Sequence, residues 1–404
     1  MGNFVELKKE QCTGCGACSE ICPRTAIQME ADDEGFLYPV VEMTKCINCG
    51  LCQKVCPYYT RQLPEEDFSQ LYYAAQHKDD GILADSSSGG VFTALAEEIL
   101  DEGGVVYGAA FDDDFTVCHI RAESKETIKK LRGSKYIQST MEDILQMVLA
   151  DLEKGPVLFS GAPCQIDGVR NYVGQKRGNA ERLFLCDFVC HGVSSPRLWK
   201  DYVEFLETRE GKLTLYNFRN KDHGWHNCFP KIESNGRNVS FKYKNRESYQ
   251  KLYSRSVITR PSCYLCRYTE YKRASDITLG DFWNIQKIAG KMDDNRGMSQ
   301  VLINSAKGEY LWRKCANVLT CKQCKKEDVW QPHLEYPMKR PHARDRFWKE
   351  YHEKNFQDII KFYGNAPAIT RCRKAIMPVI ERLGLYVLAG KIYKLMLGKG
   401  SGHA

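Results

Sequence analysis

The spacing of apolar residues along the chain changes near residue 70. Before that point, residues 26–41 alternate between apolar and polar side chains, which predicts short strands. After it, short apolar runs alternate with stretches in which apolar residues recur at helical spacing. Residues 91–100 have this helical spacing and end at a Gly-Gly pair, and residues 105–111 predict the next strand. Alternating strands and helices predict an α/β domain.

The later part of this region continues the pattern and then departs from it. Residues 156–160 and 183–189 predict buried strands, and each is followed by a segment that contains a cysteine. Residues 196–207 predict a helix. The next segments predict an antiparallel, β-rich insertion, over residues 213–218, 229–232 and 239–243.

The first sixty residues carry the most specific motif in the chain. The spacing Cys-x2-Cys-x2-Cys-x3-Cys-Pro occurs twice, and it is the run that binds 4Fe-4S clusters in bacterial ferredoxins. The fourth cysteine of each run ligates the cluster of the other run. We therefore expect two clusters, one held by Cys12, Cys15, Cys18 and Cys56 and the other by Cys46, Cys49, Cys52 and Cys22. Zinc knuckles or a disulfide framework would not require this spacing twice with both prolines.

The length of 404 residues is too great for a ferredoxin alone. We predict an α+β ferredoxin domain over residues 1–60 and a linker over 61–70. An α/β domain with the β-rich insertion follows over 71–320, and a basic, mainly helical C-terminal region over 321–404. No apolar signal segment precedes the cysteines, which predicts a reduced, cytoplasmic protein.

Charge is distributed unevenly along the chain. The net charge is +7, yet the first 70 residues contain eleven acidic and six basic side chains. An acidic head on a basic body suits docking between redox proteins and attraction of anionic substrates. Nothing resembles a recognition helix or an RNP motif, so we expect no nucleic-acid partner.

The basic C-terminal segment is apolar but interrupted. Residues 371–400 contain Pro378, Gly384 and Gly390 and have no charge-free run near twenty residues, which argues against a membrane span. We predict terminal helices that pack on the body or on a second copy of the chain. Peripheral contact with a membrane surface is the alternative.

Two loops are candidates for binding a phosphate-bearing cofactor. Ser87, Ser88, Gly89 and Gly90 precede a predicted helix and offer hydroxyls and unpaired amides. Residues 132–139 combine two cations with an aromatic ring, which suits a pyrophosphate and a stacked ring system. Helix capping and a solvated loop are the respective alternatives.

Four further cysteines form the next candidate site. Cys164 and Cys190 each follow a predicted strand, and the carboxyl ends of neighbouring parallel strands meet at one sheet edge. With the pair Cys263 and Cys266 they could bind a third 4Fe-4S cluster. The spacing equally permits a structural zinc site made of the two CxxC pairs, Cys263, Cys266, Cys321 and Cys324. His191, next to Cys190, is either a proton donor or a structural histidine.

Several of these segments together resemble a known family. They are residues 88–95, 133–139, 161–165, 190–192 and 263–266, followed by 275–283. The combination is similar to the beta subunit of coenzyme F-420 hydrogenase/dehydrogenase. The resemblance implies an iron–sulfur flavoprotein that holds FAD near a third 4Fe-4S cluster on Cys164, Cys190, Cys263 and Cys266.

The resemblance also implies the cofactor contacts and the catalytic groups. The FAD contacts are expected at Ser88, Gly89, Gly90, Lys135, Tyr136, Gln138, Gly161 and Gln165. Lys135 would stabilise the anionic reduced flavin, and Lys135 and His191 are the predicted catalytic residues. Residues 190–192 and 218–225 look more like bacterial members associated with surface-polysaccharide synthesis than like archaeal hydrogenase subunits.

We therefore expect a flavin-dependent oxidoreductase that exchanges electrons with an organic acceptor, either F-420-like or a precursor in surface-polysaccharide synthesis. One alternative is a non-catalytic subunit that passes electrons to a redox partner protein such as a ferredoxin. Another is a helper in glycan synthesis whose clusters are structural. A second copy of the chain, in a homo-oligomer, is a further candidate partner.

Overall fold

The computed structural model describes residues 4–61 and 68–365. Most of the predicted linker and the basic segment at 371–400 therefore lie outside the described residues. The strands are β1 (Ile27–Ala31), β2 (Leu37–Val41), β3 (Leu71–His77), β4 (Val105–Phe111), β5 (Val117–Ala122), β6 (Val157–Ser160), β7 (Leu183–Phe188), β8 (Leu213–Asn220), β9 (Phe229–Ser234), β10 (Arg237–Asn238), β11 (Ile277–Asp281), β12 (Ser299–Ile303) and β13 (Leu319–Cys324).

The α-helices are numbered in the same way. They are α1 (Ala17–Glu20), α2 (Leu51–Val55), α3 (Pro57–Thr60), α4 (Asp80–Asp85), α5 (Val91–Asp101), α6 (Lys125–Leu131), α7 (Ile144–Leu152), α8 (Pro163–Gln175), α9 (Pro196–Glu210), α10 (Ser240–Tyr243), α11 (Tyr249–Ser254), α12 (Ile285–Ala289), α13 (Ala306–Lys314), α14 (Arg344–Glu353) and α15 (Phe356–Tyr363).

The N-terminal residues form a small α+β unit. Strands β1 and β2 pair antiparallel, with Ile27 opposite Val41, which confirms the alternating pattern as a hairpin. The cysteine loops end at Gly16 and Gly50, whose φ angles of 77° and 75° turn the chain into α1 and α2. Each cysteine loop can therefore turn tightly, and the helix that follows it leaves the loop in a new direction.

The larger unit is built on a mixed eight-stranded sheet in the order β13-β3-β12-β11-β7-β6-β4-β5. Its centre, β11, β7, β6 and β4, is parallel, and antiparallel strands flank it on both sides. The predicted α/β class is thus confirmed as a mixed sheet. Because β6 and β7 are parallel neighbours, the segments that follow them begin at the same sheet edge.

One hydrophobic core joins the two units. It contains Val5, Ile21 and Val55 of the N-terminal unit together with Ile166 and Val169 of α8. Helix α8 therefore lies between the cysteine loops and the sheet. Strand β13 spans the predicted domain boundary at residue 320 and completes the edge of the sheet beside β3.

The predicted insertion forms a three-stranded antiparallel sheet, β10-β9-β8. Its third predicted strand, residues 239–243, is wrong, because residues 240–243 form α10. The side chain of Asn238 accepts from the amide and the hydroxyl of Ser240, which turns the chain away from the sheet. An aromatic core that includes Trp199 and Tyr249 packs this sheet against α9, α14 and α15.

None of the helices in the described ranges is both long enough and apolar enough to cross a membrane.

Candidate redox site

The eight N-terminal cysteines line two separate cavities. The inner site, as we call it, is lined by Cys12, Cys15, Cys18 and Cys56. The outer site is lined by Cys22, Cys46, Cys49 and Cys52. These are the two sets expected from the crosswise ligation of the motif. The inner cysteines are buried, whereas Cys49 of the outer site is exposed to solvent.

Four more cysteines, from three segments of the chain, line one cavity of about 590 Å³. We call this the third site, and its cysteines are Cys164, Cys190, Cys263 and Cys266. Cys164 is in the first turn of α8, after β6, and Cys190 follows β7. The 3-10 turn at Pro261–Leu265 brings in the CxxC pair. The strand order therefore places these cysteines together, as the sequence predicts.

The electrostatics of the third site show that the thiols are close to one another. Burial, and then the neighbouring thiols Cys190, Cys263 and Cys266, raise the pKa of Cys164 well above its usual value. Burial and Cys266 raise the pKa of Cys263 to about 12. Closely spaced buried thiolates need positive charge from metal or protein to exist together. The N-terminus of α8 supplies part of it to Cys164.

The alternative zinc site is not assembled. Cys321 and Cys324 lie on β13, at the far edge of the sheet, and do not line the cavity of Cys263 and Cys266. Within residues 4–61 and 68–365, no group of three or more His, Cys, Asp or Glu side chains is arranged to hold a single metal ion. Thiolates around a 4Fe-4S cluster each bind a different iron, so they surround the cluster instead of converging on one point.

Orphaned polar groups lie beside the third site. Arg273 is 3% exposed and Asp187 is 1% exposed, and their nearest charged atoms are 3.6 Å apart. Neither the guanidinium nitrogens nor the carboxylate oxygens make a hydrogen bond within the described residues. The charge of Arg273 acts to lower the pKa of Cys190 and of Cys266, in opposition to burial, which is the largest cause at both thiols. A buried cation facing thiolates fits an anionic iron–sulfur cluster.

Helix α8 connects the inner site to the third site. A Cβ built on Gly168 would lie 3.0 Å from both Cβ and Sγ of Cys15, so the helix touches the inner cysteine loop. Cys164, one turn earlier on α8, is close enough for Cys15 to raise its pKa. The inner site is therefore the neighbour of the third site, and the outer site lies nearer the surface.

The two loops predicted to bind FAD meet each other. The hydroxyl of Ser87 accepts from the amide of Ser134 at 2.8 Å. Ser88 Oγ donates to the carbonyl of Met298 at 2.6 Å, and Ser299 Oγ accepts from the amide of Gly89 at 2.9 Å. Gly90, with φ of 79°, starts α5. A Cβ on Gly133 would meet nothing within 4 Å, so there is open space beside this loop.

Lys135 is directed toward the end of a helix. Its Nζ donates to the carbonyls of Lys130 and Leu131, the last residues of α6, and to that of Arg132, which occupies all three ammonium protons. Burial lowers the pKa of Lys135 to about 7. Its predicted role beside a reduced flavin remains a prediction.

Tyr136 of the second predicted flavin loop is linked through Tyr253 to His191 at the third site. The ring of Tyr136 packs against Tyr253 at 4.5 Å, and the hydroxyl of Tyr253 donates to the carbonyl of His191. His191 lines the third-site cavity and packs against His333, with ring centroids 4.3 Å apart. Burial is the main cause that lowers the pKa of His191 to about 4. The imidazole is therefore neutral at pH 7, and its proton-donor role remains a prediction.

The remaining predicted cofactor contacts have protein partners. Gln138 Nε2 donates to the carbonyl of Thr13 on the inner cysteine loop. Gln165 Oε1 accepts from the amide of Ala162, and its amide group donates to Ser139. Gly161 packs under Gln165, and its amide donates to the carbonyl of Cys186. These three residues hold the elements between the inner and third sites.

Sequence reasoning missed the buried arginines Arg260 and Arg273. Both lie within seven residues of the CxxC pair, and that proximity was the available signal. It also missed the buried carboxylate of Asp167, which accepts from the hydroxyl of Tyr268 at the wall of the third site.

Comparison with known proteins identifies the family. Two family models describe the N-terminal and C-terminal parts of the beta subunit of coenzyme F420 hydrogenase/dehydrogenase, and they match residues 72–146 and 155–327. The chain belongs to this family. A 4Fe-4S dicluster domain matches residues 11–60, ahead of the two beta-subunit matches.

Other comparisons are more distant. One solved structure, a chain of the F420-reducing NiFe hydrogenase complex from Methanosarcina barkeri, is 19% identical with a TM-score of 0.42. The alignment covers 62% of this chain and 81% of that chain. No curated protein matches the chain. Membership of the coenzyme F420 hydrogenase/dehydrogenase beta subunit family, together with the dicluster domain, makes the chain an iron–sulfur protein with a redox, electron-transfer role.

Proposed function

We propose that this chain is a flavin-dependent oxidoreductase in which electrons pass from the outer site to the inner site, then to the third site, and then to FAD. The observation that carries the proposal is the convergence of Cys164, Cys190, Cys263 and Cys266 on one cavity next to the inner site. Electron transfer needs closely spaced centres, and the contact of α8 with the inner cysteine loop, together with Cys164 on the same helix, supports such spacing. When bound, the clusters supply one-electron transfer and FAD pairs two electrons for an organic acceptor.

The protein would contribute position and charge to this chain of centres. The four thiolates of the third site fix one cluster, with Arg273 and the N-terminus of α8 providing positive charge. Burial of the inner cysteines keeps water away from the middle of the path. The exposed Cys49 leaves the outer site open to an electron donor or acceptor from solution.

The flavin would bind where the Ser87 and Ser134 loops meet. Their contact orders both loops, and the start of α5 offers main-chain amides to a phosphate. Tyr136 and His191 connect this region to Cys190 through Tyr253. The acceptor would be F-420-like or a precursor in surface-polysaccharide synthesis.

A second function is favoured by one surface feature. Met43 and Ile47 are 53% and 59% exposed, and Ile47 lines the outer site. An apolar surface beside an exposed redox centre suits docking of a partner protein. On this alternative the chain is a non-catalytic subunit that relays electrons between proteins.

Anaerobic turnover of the purified chain separates the two functions. The protein is reduced with dithionite, freed of excess reductant, and mixed with a deazaflavin or another small organic acceptor. Reoxidation of the clusters and flavin without a partner supports the enzyme. If reoxidation occurs only when a redox protein such as a ferredoxin is added, the enzyme proposal is wrong, and the chain is a non-catalytic electron-transfer subunit.

A further inference from the structure

A single buried arginine lies between the inner site and the third site. Arg260 is 1% exposed and precedes Cys263 by three residues. Its Nε donates to the carbonyl of Cys12 at 2.9 Å, and its Nη2 donates to the carbonyl of Leu37 at 2.9 Å. One side chain therefore links the inner cysteine loop and the β1–β2 hairpin to the segment that carries the CxxC pair.

Gln138 completes this contact. Arg260 Nη1 donates to Gln138 Oε1 at 2.8 Å, and Gln138 Nε2 donates to the carbonyl of Thr13. Gly14 has φ of 70°, and a Cβ there would lie 2.5 Å from Gln138 Nε2 and 2.9 Å from Arg260 Nη1. The inner cysteine loop thus fits closely over the two side chains and admits only glycine at this position.

The charge of Arg260 has no acidic partner within the described residues. Its acceptors are carbonyl and amide oxygens, whereas other buried arginines face carboxylates, as Arg344 faces Glu34 and Arg219 faces Asp281. Burying a cation without a counter-charge is unfavourable. The guanidinium carbon lies 4.4 Å from the ring centroid of Tyr38 and 5.4 Å from that of Phe36, and neither ring carries a full negative charge. The groups that could supply that charge are the thiolates on either side, because Arg260 donates to the backbone of Cys12 and precedes Cys263 by three residues.

We propose that Arg260 is a positioning residue whose positive charge is shared by the inner and third clusters, and that it raises the reduction potential of both. The proposal rests on the proposed function, since it requires a cluster in the third site. A cluster gains negative charge when it is reduced, so a nearby fixed cation stabilises the reduced form more than the oxidised form. Arg260 does not line the outer site, whose Cys49 is exposed to solvent, so the potential of a cluster held there should not depend on this residue.

The test is an EPR-monitored redox titration of the full chain, purified anaerobically. Arg260→Gln should lower the midpoint potentials of the inner cluster and of the cluster in the third site. It should leave the potential of the outer cluster unchanged, with an iron content equal to that of the wild type. Arg260→Lys keeps the charge and should restore most of the potential. Gln138→Glu retains Arg260 and gives it a carboxylate acceptor in place of the amide, at the cost of the bond to the Thr13 carbonyl, so it should also lower both potentials.

A matched control removes a different contact between the two units without changing net charge. The double variant Glu34→Gln/Arg344→Met eliminates a buried ion pair that joins the β1–β2 hairpin to α14. It should leave all cluster potentials unchanged. Equal shifts of all three clusters in Arg260→Gln would indicate general loosening and overturn the proposal.

Unchanged potentials in Arg260→Gln and in Gln138→Glu, at full iron content, would also overturn it. If Arg260→Gln loses iron, Gln138→Glu alone decides, because that variant retains the arginine. Wild-type protein with about eight iron atoms, the content of two clusters, would refute the third cluster itself. About twelve iron atoms in the wild type, with potentials that Arg260→Gln and Gln138→Glu do not change, would refute only the role of Arg260.

Discussion

Removal of Arg344 should destabilise the whole protein, because this residue ties the N-terminal unit to the C-terminal helices. Both guanidinium Nη atoms donate to the carboxylate of Glu34, on the turn between β1 and β2. Arg344 also donates to the carbonyl of Thr259 and to the hydroxyl of Tyr264, each at 3.2 Å. The side chains of Arg344 and Glu34 are 5% and 11% exposed, so the pair is shielded from water.

Arg344→Met would leave the Glu34 carboxylate buried without a partner. Removing one member of a buried ion pair costs about 3–5 kcal/mol of unfolding free energy. Replacing both members removes the unpaired charge, so Glu34→Gln/Arg344→Met should lose less than Arg344→Met alone. The double variant thus separates the cost of the unpaired charge from the cost of the lost contacts.

The unfolding free energy lost in Arg344→Met should also depend on pH. Burial, the largest cause, raises the pKa of Glu34 even in the presence of Arg344, which acts to lower it. Without the arginine the folded-state pKa rises further, and the folded state retains a proton that the unfolded state releases. The destabilisation by Arg344→Met should therefore be smaller at pH 5 than at pH 8.

Thermal and urea unfolding of the variants, followed by circular dichroism and by cluster absorbance, measure these effects. We expect Arg344→Met to unfold first, the double variant to be intermediate, and the wild type to unfold last. A loss below about 1 kcal/mol for Arg344→Met, typical of an exposed pair, would show that the contact is not buried in solution.

Two further predictions concern α8 and α1. Gly168→Val should displace Cys15 from the inner site, because a Cβ at residue 168 would already be 3.0 Å from the sulfur of Cys15. The iron content and the EPR signal of the inner cluster should both fall. The control Gly174→Ala, on the same helix, should leave both unchanged, because a Cβ at residue 174 meets nothing within 4 Å. Glu20 accepts from the amide of Gln146, and burial raises its pKa from the usual 4.5 to about 7. The stability that this raised pKa confers is complete below about pH 4.5 and is lost as pH rises through about 7. Glu20→Gln should therefore reduce the fall in unfolding temperature between pH 5 and pH 8. An unchanged pH profile of the unfolding temperature would refute the raised pKa of Glu20.

The cysteine pattern was sufficient to predict both N-terminal sites, because ligand spacing is local and the covalent chain fixes it. The third site was predictable in part. Cys164 and Cys190 follow strands, and the parallel pairing of β6 with β7 makes their positions converge. The choice between a cluster and a zinc site was not predictable, because the position of β13 at the far edge depends on strand order, which the spacing of Cys321 and Cys324 does not encode.

The residues that sequence reasoning missed are those whose partners are distant in the chain. Arg260 contacts Cys12 and Leu37, more than 220 positions away, and its one local signal, proximity to the CxxC pair, does not indicate those partners. The predicted strand at residues 239–243 is wrong for the opposite reason, because the contact that decides its structure is local. Their apolar alternation resembles a strand, but a local bond from Ser240 to Asn238 decides the backbone.

Iron, acid-labile sulfide and flavin analysis of the anaerobically purified chain, with and without the third-site cysteines, tests the central claim most directly. The account predicts about twelve iron atoms, an equal amount of sulfide and one FAD in the wild type, the content of three 4Fe-4S clusters and one flavin. Cys263→Ser should reduce the iron to about eight, whereas the control Cys321→Ser, outside the site, should retain about twelve. About eight iron atoms in the wild type, or equal iron in wild type and Cys263→Ser, would contradict the account.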